Sequence, residues 1–237
     1  MNTIIQRLQQ TDWQKTTEDL HRNGHTVVPE LLTKEECSDL ILGYDTGALY
    51  RKTINMERYR FGSGEYKYFQ YPLPGQIAGI RETVYPWLVP VADRWMEQLG
   101  IELKFPSSHE QLKQRCREKG QTKPTVLILR YGEGGFNTLH QDLYGEVYFP
   151  IQLVVFLNQP GRDYTGGEFV LTEQIPRAQS KAIVLQPRQG DMLLFTTSFR
   201  PVKGSRGWYR VNMKHGVSPV TGGSRHTLGI IFHDAES

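Results

Sequence analysis

Cysteine is scarce in this sequence of 237 residues, which contains only Cys37 and Cys116. Neither has a second cysteine at the spacing of a metal-binding pair, so the sequence indicates neither a thiolate zinc site nor a disulfide scaffold. A long apolar run is also lacking, and the first residues have neither the basic start nor the apolar centre of a secretory signal. We therefore expect a cytoplasmic protein with no membrane segment, in which both cysteines are buried as small hydrophobic residues.

An excess of one charge is lacking as well. The 28 basic and 25 acidic residues give a formal net charge of +3, which is too small to indicate a nucleic-acid partner by itself. Hydrophobic residues make up 38% of the sequence and charged residues 22%, as is typical of a soluble globular protein. The length allows one large domain or two small ones. We expect a single domain over 1–237.

The character of the sequence changes near residue 123, and helical patterns dominate the part before it, 1–122. Thr33 and Glu36 have the spacing of a capping box, which predicts a helix start. Pro86 and Pro90 are expected to kink or divide the longest helix, because proline removes a helical hydrogen bond. The predicted elements are helices over 12–23, 33–42, 75–99 and 108–119, and a short strand over 25–32.

Residues 123–237 consist of short segments rich in β-branched and aromatic residues, separated by turns with glycine or proline. Helices followed by strands argue against a doubly wound parallel sheet. The order favours a mainly β fold, a double-stranded β-helix or jelly roll, with the helices packed on the outside of one sheet. Strands are predicted near 124–131, 151–157, 168–172, 181–186, 191–196, 209–215 and 226–232.

The most informative stretch is LRYGEGGFNTLHQDLYG, in which His140 and Asp142 lie two residues apart. On an extended strand, residues at this spacing point to the same side. His215, far along the chain, is a candidate third ligand from another strand of the same barrel. Two imidazoles and one carboxylate form the facial triad of non-haem iron(II) oxygenases, which leaves adjacent metal positions open for a cosubstrate and dioxygen.

Arg225 follows His215 by ten residues, and Thr227 follows on the next predicted strand, 226–232. A guanidinium offers two parallel donors to a carboxylate. Arg225 is therefore a candidate partner for the distal carboxylate of 2-oxoglutarate, and the Thr227 hydroxyl can add a hydrogen bond. A purely structural metal site does not need such a group nearby.

With these residues in place, the sequence resembles the 2-oxoglutarate- and iron(II)-dependent oxygenases, in the branch that looks like prolyl hydroxylases. The resemblance covers roughly 124–233, and GHTVVPELLTKEEC resembles the entry segment of the same family. It looks closest to a little-characterised bacterial group that is sometimes placed with oxidative DNA-repair oxygenases. The matching features, in order, are Tyr131, Gly134, His140, Asp142, IQLVVFLN, GGEF at 166–169, QGDMLLF at 189–195 and HGVSPVTGGSR at 215–225.

The resemblance implies an enzyme that uses Fe(II), 2-oxoglutarate and O2. Carried over by position, it implies that His140, Asp142 and His215 bind the metal and that Arg225 anchors 2-oxoglutarate. Tyr131 and Thr227 would be further contacts to that cosubstrate. Many prolyl hydroxylases have lysine where this chain has Arg225, which leaves the subfamily open. The carboxylate of Asp142 disfavours the related halogenases, which need that position vacant.

Three functions follow as hypotheses. The first is hydroxylation of a C–H bond in a peptidyl or small-molecule substrate. The second is oxidative demethylation of alkylated nucleic acid, in which a hydroxylated N-methyl group is lost as formaldehyde. The third is a non-catalytic metal-binding jelly roll, which Arg225 disfavours.

Two segments are candidate substrate surfaces. Residues 50–71 contain seven aromatic and five basic residues against two acidic ones, around a GSG sequence that would let a loop close as a lid. The alternative is an ordinary loop that covers the rim of the barrel. Residues 200–214 interleave basic residues with Trp208 and Tyr209, and a solvated hairpin is the alternative interpretation. Glu168 and Asp191 are interpreted as turn residues. The remaining histidines are interpreted as structural or surface residues: His21, His25, His109, His226 and His233.

Overall fold

Helices and 3-10 turns occupy much of the first half of the chain. The computed structural model describes residues 3–237. Its three 3-10 turns are Gly43–Asp45, Gly47–Leu49 and Met56–Tyr59. The helices are α1 (Ile4–Gln10), α2 (Trp13–Asn23), α3 (Lys34–Leu42), α4 (Gly75–Gln98) and α5 (His109–Glu118).

Local sequence signals set the helix ends. Thr33 and Glu36 form the predicted reciprocal capping box at the start of α3. Helix α2 ends at Gly24, whose φ of 73° is left-handed and therefore suits glycine. The expected division of α4 is wrong, because the helix is continuous through Pro86 and Pro90. Both prolines lie on its exposed side, where water can satisfy the carbonyls that they leave unpaired.

All seven strands predicted after residue 123 form, with shifted ends, and several short strands are added. The strands are β1 (His25–Val28), β2 (Tyr50–Asn55), β3 (Gly62–Ser63), β4 (Glu65–Phe69), β5 (Leu127–Tyr131), β6 (Phe136–His140), β7 (Ile151–Phe156), β8 (Tyr164–Gly166), β9 (Phe169–Gln174), β10 (Ser180–Leu185), β11 (Met192–Thr196), β12 (Phe199–Gly204), β13 (Gly207–Val217), β14 (Val220–Gly223) and β15 (Arg225–Ile230).

Two antiparallel sheets face each other. The major sheet has the order β1-β11-β7-β15-β5-β4-β2, and the minor sheet has the order β10-β9-β13-β6-β3, with β12 beside β13. Phe156 and Phe195 of the major sheet pack between the sheets against Phe169 and Leu171 of the minor sheet. This arrangement is the predicted double-stranded β-helix.

The helices cover the outer face of the major sheet. One hydrophobic cluster joins Leu8, Leu20 and Trp95 from the helices to Ile128 and Leu228 from the strands. The predicted position of the helical layer is therefore confirmed. Cys37 and Cys116 are both buried, as expected. Among residues 3–237, no helix combines the length and apolarity that crossing a membrane requires.

Most of 50–71 forms strands rather than the expected loop, and a turn remains between β2 and β3. Strands β2 and β4 pair in this segment and extend the major sheet beyond β5. The glycines of GSG allow this segment to approach β5 and β6 closely, rather than allowing it to move. A Cβ on Gly62 would collide with the carbonyl oxygen of Phe136, and one on Gly64 would meet the Tyr131 ring at 2.9 Å.

Candidate metal centre

The minor sheet brings His140 and His215 side by side. His140 is the last residue of β6, and His215 lies near the end of β13. The two are direct partners in the β6–β13 register, and their ring centroids are 4.1 Å apart with the ring planes at 51°. The spacing predicted that Asp142 lies on the same strand as His140. Instead, Asp142 follows β6 in an irregular segment. The chain nevertheless turns its carboxylate towards both rings.

The three side chains converge on one point. Asp142 Oδ2 lies 3.2 Å from Nε2 of His215, and Oδ1 lies 3.6 Å from Nε2 of His140. One potential ligand atom from each residue lies within 4.8 Å of the others, so the group can hold a metal ion. Two imidazoles and one carboxylate are a donor set that suits iron(II).

Hydrogen bonds outside the triad fix the orientation of two of its members. His140 Nδ1 lies 2.8 Å from the carbonyl oxygen of Thr138. A carbonyl only accepts, so Nδ1 carries the proton and Nε2 keeps its lone pair for a metal. Tyr144 donates its hydroxyl hydrogen to Oδ1 of Asp142 at 2.8 Å, and Tyr68 donates to the Tyr144 oxygen at 3.2 Å.

Gln141, which lies between His140 and Asp142, is hydrogen-bonded to two neighbouring segments of the chain. Its side-chain nitrogen donates to the carbonyls of Ser198 at 2.8 Å and Met213 at 2.7 Å. His215 is held differently, by the rings of Phe169 at 5.9 Å and Phe195 at 4.9 Å. Its Nδ1 has no hydrogen-bond partner within residues 3–237.

The electrostatics of the site favour the protonation states that bind a metal. Burial raises the pKa of Asp142, but the charge and hydrogen bond of His215, with smaller effects from His140 and Tyr144, hold it well below its usual range. Burial, with His140 nearby, lowers the pKa of His215. Burial and the Asp142 charge raise the pKa of Tyr144, so Tyr144 remains a donor at neutral pH.

Arg225 is a buried cation without a hydrogen-bonded anion. It is 1% exposed, and none of its three guanidinium nitrogens has a hydrogen-bond partner in the described chain. The guanidinium is surrounded by the rings of Tyr131, Phe156 and Tyr164, whose centroids lie 5.4–5.9 Å away. A buried unpaired charge is costly, so this position fits an incoming carboxylate.

Tyr131 and Thr227 lie beside Arg225 on the major sheet. Tyr131 is the register partner of Arg225 across β5 and β15, and its hydroxyl also has no hydrogen-bond partner within residues 3–237. Burial raises the pKa of Tyr131 to about 12, against opposing effects of Arg225 and Asn137. Thr227 follows Arg225 by two residues and therefore faces the same side.

One cavity of about 240 Å³ joins these groups. It is lined by all three triad residues and by Tyr131, Arg225 and Thr227. The cavity is also lined by Gln152, Tyr68 and Tyr144, which the sequence analysis missed. Gln152 had a visible signal, because it is the one polar residue in IQLVVFL. Tyr68 and Tyr144 had none, because their roles depend on contacts between distant segments.

Other candidate residues lie outside the site. Asp191 accepts hydrogen bonds from the backbone nitrogens of Glu30 and Arg188, in keeping with a turn role, and Glu168 pairs with Ser218. Trp208 is seven residues from His215 along β13, which corresponds to about 23 Å. The 200–214 hairpin therefore does not reach the triad through Trp208. The five other histidines are not part of the triad.

The double-stranded β-helix and the His140–Asp142–His215 cluster together fit an oxygenase that binds a metal ion. The profile of one family, described as an oxygenase catalysing oxidative methylation of damaged DNA, matches residues 64–235. The chain belongs to this family. Two uncharacterised proteins, from two strains of Mycobacterium tuberculosis, are each 47% identical over 167 residues, covering 70% of this chain and 72% of theirs.

Solved structures share the fold at low sequence identity. A prolyl hydroxylase from Trichoplax adhaerens, in complex with a hypoxia-inducible-factor peptide fragment, has a TM-score of 0.57 at 16% identity, covering 97% of this chain and 91% of its own. A Pseudomonas putida prolyl-4-hydroxylase has a TM-score of 0.55 at 13% identity, with 92% and 96% covered. A Burkholderia pseudomallei 2-oxoglutarate-iron(II) oxygenase has a TM-score of 0.53 at 14% identity, with 94% and 92% covered.

Proposed function

We propose that His140, Asp142 and His215 hold Fe(II) and that Arg225 binds the distal carboxylate of 2-oxoglutarate. The observation that carries this proposal is the buried guanidinium of Arg225, which has no hydrogen-bond partner within residues 3–237 and lines the same cavity as the triad. A carboxylate would supply the missing acceptor for its paired donors. Tyr131, whose hydroxyl also lacks a partner, donates to the same carboxylate, and Thr227 contacts the cosubstrate from the neighbouring inward position.

When bound, iron and 2-oxoglutarate supply the oxidising power: O2 is consumed, 2-oxoglutarate becomes succinate and CO2, and one oxygen atom enters a C–H bond. The residues of the chain position and shield this reaction. Tyr144 holds the Asp142 carboxylate, and Thr138 fixes the His140 ring. Phe169 and Phe195 pack on His215 and keep water from that side of the centre.

We propose a methylated base of damaged nucleic acid as the substrate. Hydroxylation of an N-methyl group gives a hydroxymethyl group, which is lost as formaldehyde. The family description names damaged DNA, which supports nucleic acid as the substrate. The rim turn, residues 58–61, supports it too, because Arg58, Tyr59, Arg60 and Phe61 are all exposed. Tyr59 and Phe61 stack at 5.5 Å with their planes at 17°. Aromatic faces between cations are suited to bases and phosphates.

The rim turn lies close to the metal centre. The Phe61 carbonyl accepts hydrogen bonds from both the backbone nitrogen and the hydroxyl of Thr138, each at 2.8 Å. Thr138 in turn orients His140 through its own carbonyl. A nucleic-acid strand that contacts the rim turn would therefore lie next to the triad.

Hydroxylation of a peptidyl C–H bond is the second candidate. Leu139 and Leu143, which are 45% and 50% exposed, flank the His140–Asp142 segment and would suit an apolar peptide side chain. The Trichoplax adhaerens structure of the same fold contains a peptide. We also propose that 1–237 acts as one oxygenase domain, since one hydrophobic cluster joins its helices to its strands.

The test measures succinate and formaldehyde in reactions with Fe(II), 2-oxoglutarate and O2. The substrates are a single-stranded oligonucleotide containing one N-methylated base, the unmethylated oligonucleotide and a proline-containing peptide. We expect succinate and formaldehyde in equal amounts with the methylated oligonucleotide alone, and neither product with the His140→Ala protein. Coupled succinate formation with the peptide, and no formaldehyde with the oligonucleotide, would reverse the order of the two candidates.

A further inference from the structure

Gln152 is a buried glutamine whose side-chain nitrogen has no hydrogen-bond partner within residues 3–237. It is 2% exposed, and the rest of its strand, Ile151–Phe156, is apolar. A buried polar group without a partner costs roughly 1–3 kcal/mol of stability. An apolar residue at this position would remove that cost, and the unpartnered nitrogen is available to a hydrogen-bond acceptor that enters the cavity.

The position of Gln152 on the sheet places its amide close to the metal centre. Gln152 pairs in register with Phe195, whose ring lies 4.9 Å from that of His215. On the same face of β7, Phe156 packs against Arg225. Gln152 lies four residues from Phe156, which corresponds to about 13 Å. The cavity therefore has a cationic end at Arg225 and a neutral, amide-bearing end at Gln152.

Tyrosine rings form walls of the same cavity. Tyr66, Tyr68 and Tyr144 all line it. Tyr66 and Tyr68 meet edge to face at 5.4 Å, and Tyr68 and Tyr144 do so at 6.5 Å. Proteins that act on a single base commonly hold it between aromatic or apolar side chains and hydrogen-bond its edge. A planar primary amide, with one donor and one acceptor side by side, is suited to such an edge.

We infer that Gln152 hydrogen-bonds the edge of the methylated nucleobase while that base lies against the tyrosine walls. The inference rests on the proposed function and adds how the substrate is recognised. Its Nε2 donates to a ring nitrogen or carbonyl oxygen of the base. Because Gln152 is buried, only a base that has left the stack of its neighbours reaches it. The hydrogen bond selects the base, while Arg225 holds the cosubstrate at the other end.

The experiment compares wild type with Gln152→Met and Gln152→Leu, and uses Gln174→Met as the control. Gln174 is an exposed strand residue on β9, so this variant tests the effect of introducing methionine alone. Affinity is measured by fluorescence anisotropy without oxygen, with Mn(II) and 2-oxoglutarate present, for single-stranded oligonucleotides with and without one N-methylated base. Binding of 2-oxoglutarate and the thermal midpoint of each free protein are measured in parallel.

We expect both Gln152 variants to bind the methylated oligonucleotide about tenfold more weakly, as expected for one lost buried hydrogen bond. Affinity for the unmethylated oligonucleotide and for 2-oxoglutarate should stay within about twofold of wild type, and the thermal midpoint should be equal or higher. Gln174→Met should match wild type throughout.

Three results would overturn the inference. If both variants bind the methylated oligonucleotide as tightly as wild type, Gln152 does not contact the base, although the proposed function stands. If both variants have a lower thermal midpoint and bind 2-oxoglutarate poorly, Gln152 is a packing residue. If wild type does not prefer the methylated oligonucleotide, or produces succinate only with the peptide, the proposed substrate and this inference fail together.

Discussion

Asp142 uses its two carboxylate oxygens differently. Oδ1 accepts a hydrogen bond from Tyr144, whereas Oδ2 lies nearest to His215. The hydroxyl of Tyr144 therefore leaves Oδ2 as the freer atom for a metal. If Asp142 bound a metal through this one oxygen, it would occupy a single metal position and would leave other positions for the cosubstrate and dioxygen.

Loss of the Tyr144 hydroxyl should weaken metal binding. We expect Tyr144→Phe to bind Mn(II) or Fe(II) roughly 10–100-fold more weakly, the usual effect of losing a hydrogen bond to a metal ligand. Tyr68→Phe is the matched control, because Tyr68 contacts Tyr144 and not Asp142. Anaerobic calorimetric titration of the metal measures both. Equal metal affinity in Tyr144→Phe and wild type would contradict this role.

Arg225→Lys keeps the charge and removes the paired donors. We expect affinity for 2-oxoglutarate to fall by about 1–3 kcal/mol, because one ammonium cannot replace a two-pronged contact. Metal affinity should change much less, since Arg225 is not one of the three clustered ligands. Titration of 2-oxoglutarate into the metal-loaded protein measures the effect. Unaltered 2-oxoglutarate binding would mean that another residue anchors it.

At the scale of single elements, the contact between β3 and β6 fixes the rim of the site. Gly62 has a φ of 142° and pairs with Asn137 on β6, three residues before His140. The approach leaves no room for a side chain at Gly62, because the carbonyl of Phe136 occupies that space. The rim turn that follows β2 is thus attached to the strand that carries His140.

Gly62→Ala should therefore destabilise the protein, by about 2 kcal/mol or more, through a strained φ and a backbone collision. The control is Gly47→Ala, where an added Cβ meets nothing within 4 Å; its stability should stay within about 0.5 kcal/mol of wild type. Urea unfolding measures both variants. Similar midpoints for the two variants would show that β3 can move away from β6 at little cost.

Elements with strong local signals were predictable, and those defined by distant pairing were not. The capping box of Thr33 and Glu36 and the left-handed Gly24 placed helix ends correctly. Strand β12 was missed because it contains Pro201, which is tolerated where β12 pairs only with β13. The 50–71 segment resembled a loop because its GSG sequence is equally compatible with flexibility and close packing.

At the scale of the whole molecule, buried neutral histidines link stability to pH. Burial, with the Arg81 charge nearby, lowers the pKa of His109 from 6.5 to about 3. Burial, with Arg130 nearby, lowers the pKa of His226 to about 4. Below pH 6.5 the unfolded chain binds protons that the folded chain does not, so acid favours unfolding.

Stability should therefore change little between about pH 7 and 8 and fall as the pH drops from 6.5 towards 5. Each histidine contributes a slope of up to about 1.4 kcal/mol per pH unit in that window. Urea unfolding at pH 7.5, 6.5, 5.5 and 5.0 measures how steeply the free energy of unfolding changes with pH. His109→Gln should reduce this slope by up to about 1.4 kcal/mol per pH unit, the contribution of one proton. A free energy of unfolding that is constant or rises on acidification would contradict this assignment.

The sequence predicted the residues proposed as ligands better than the residues that surround them. His140, Asp142, His215 and Arg225 belong to a spaced pattern, so their convergence followed once the strands were assigned. Tyr144 could be placed only by the three-dimensional arrangement, because neither spacing nor residue type distinguishes it. Gln152 was visible as the one polar residue in IQLVVFL, but only the three-dimensional arrangement places it in the cavity. The same limit applies to the substrate, since the rim turn and the rings of Tyr66 and Tyr68 belong to the β2–β4 segment, whose strands the sequence pattern did not predict.

The buried charge of Arg225 also bears on how long the protein survives in a cell. An empty site with an unpaired buried charge lowers the stability of the fold, so a ligand that binds there stabilises the whole fold. A ligand present at one hundred times its dissociation constant adds about 2.7 kcal/mol to the free energy of unfolding. Opening by thermal fluctuation exposes a chain to proteases. The rate of its degradation should therefore track the free pool of 2-oxoglutarate, so that a shortage of this central carbon metabolite removes the enzyme as well as its cosubstrate.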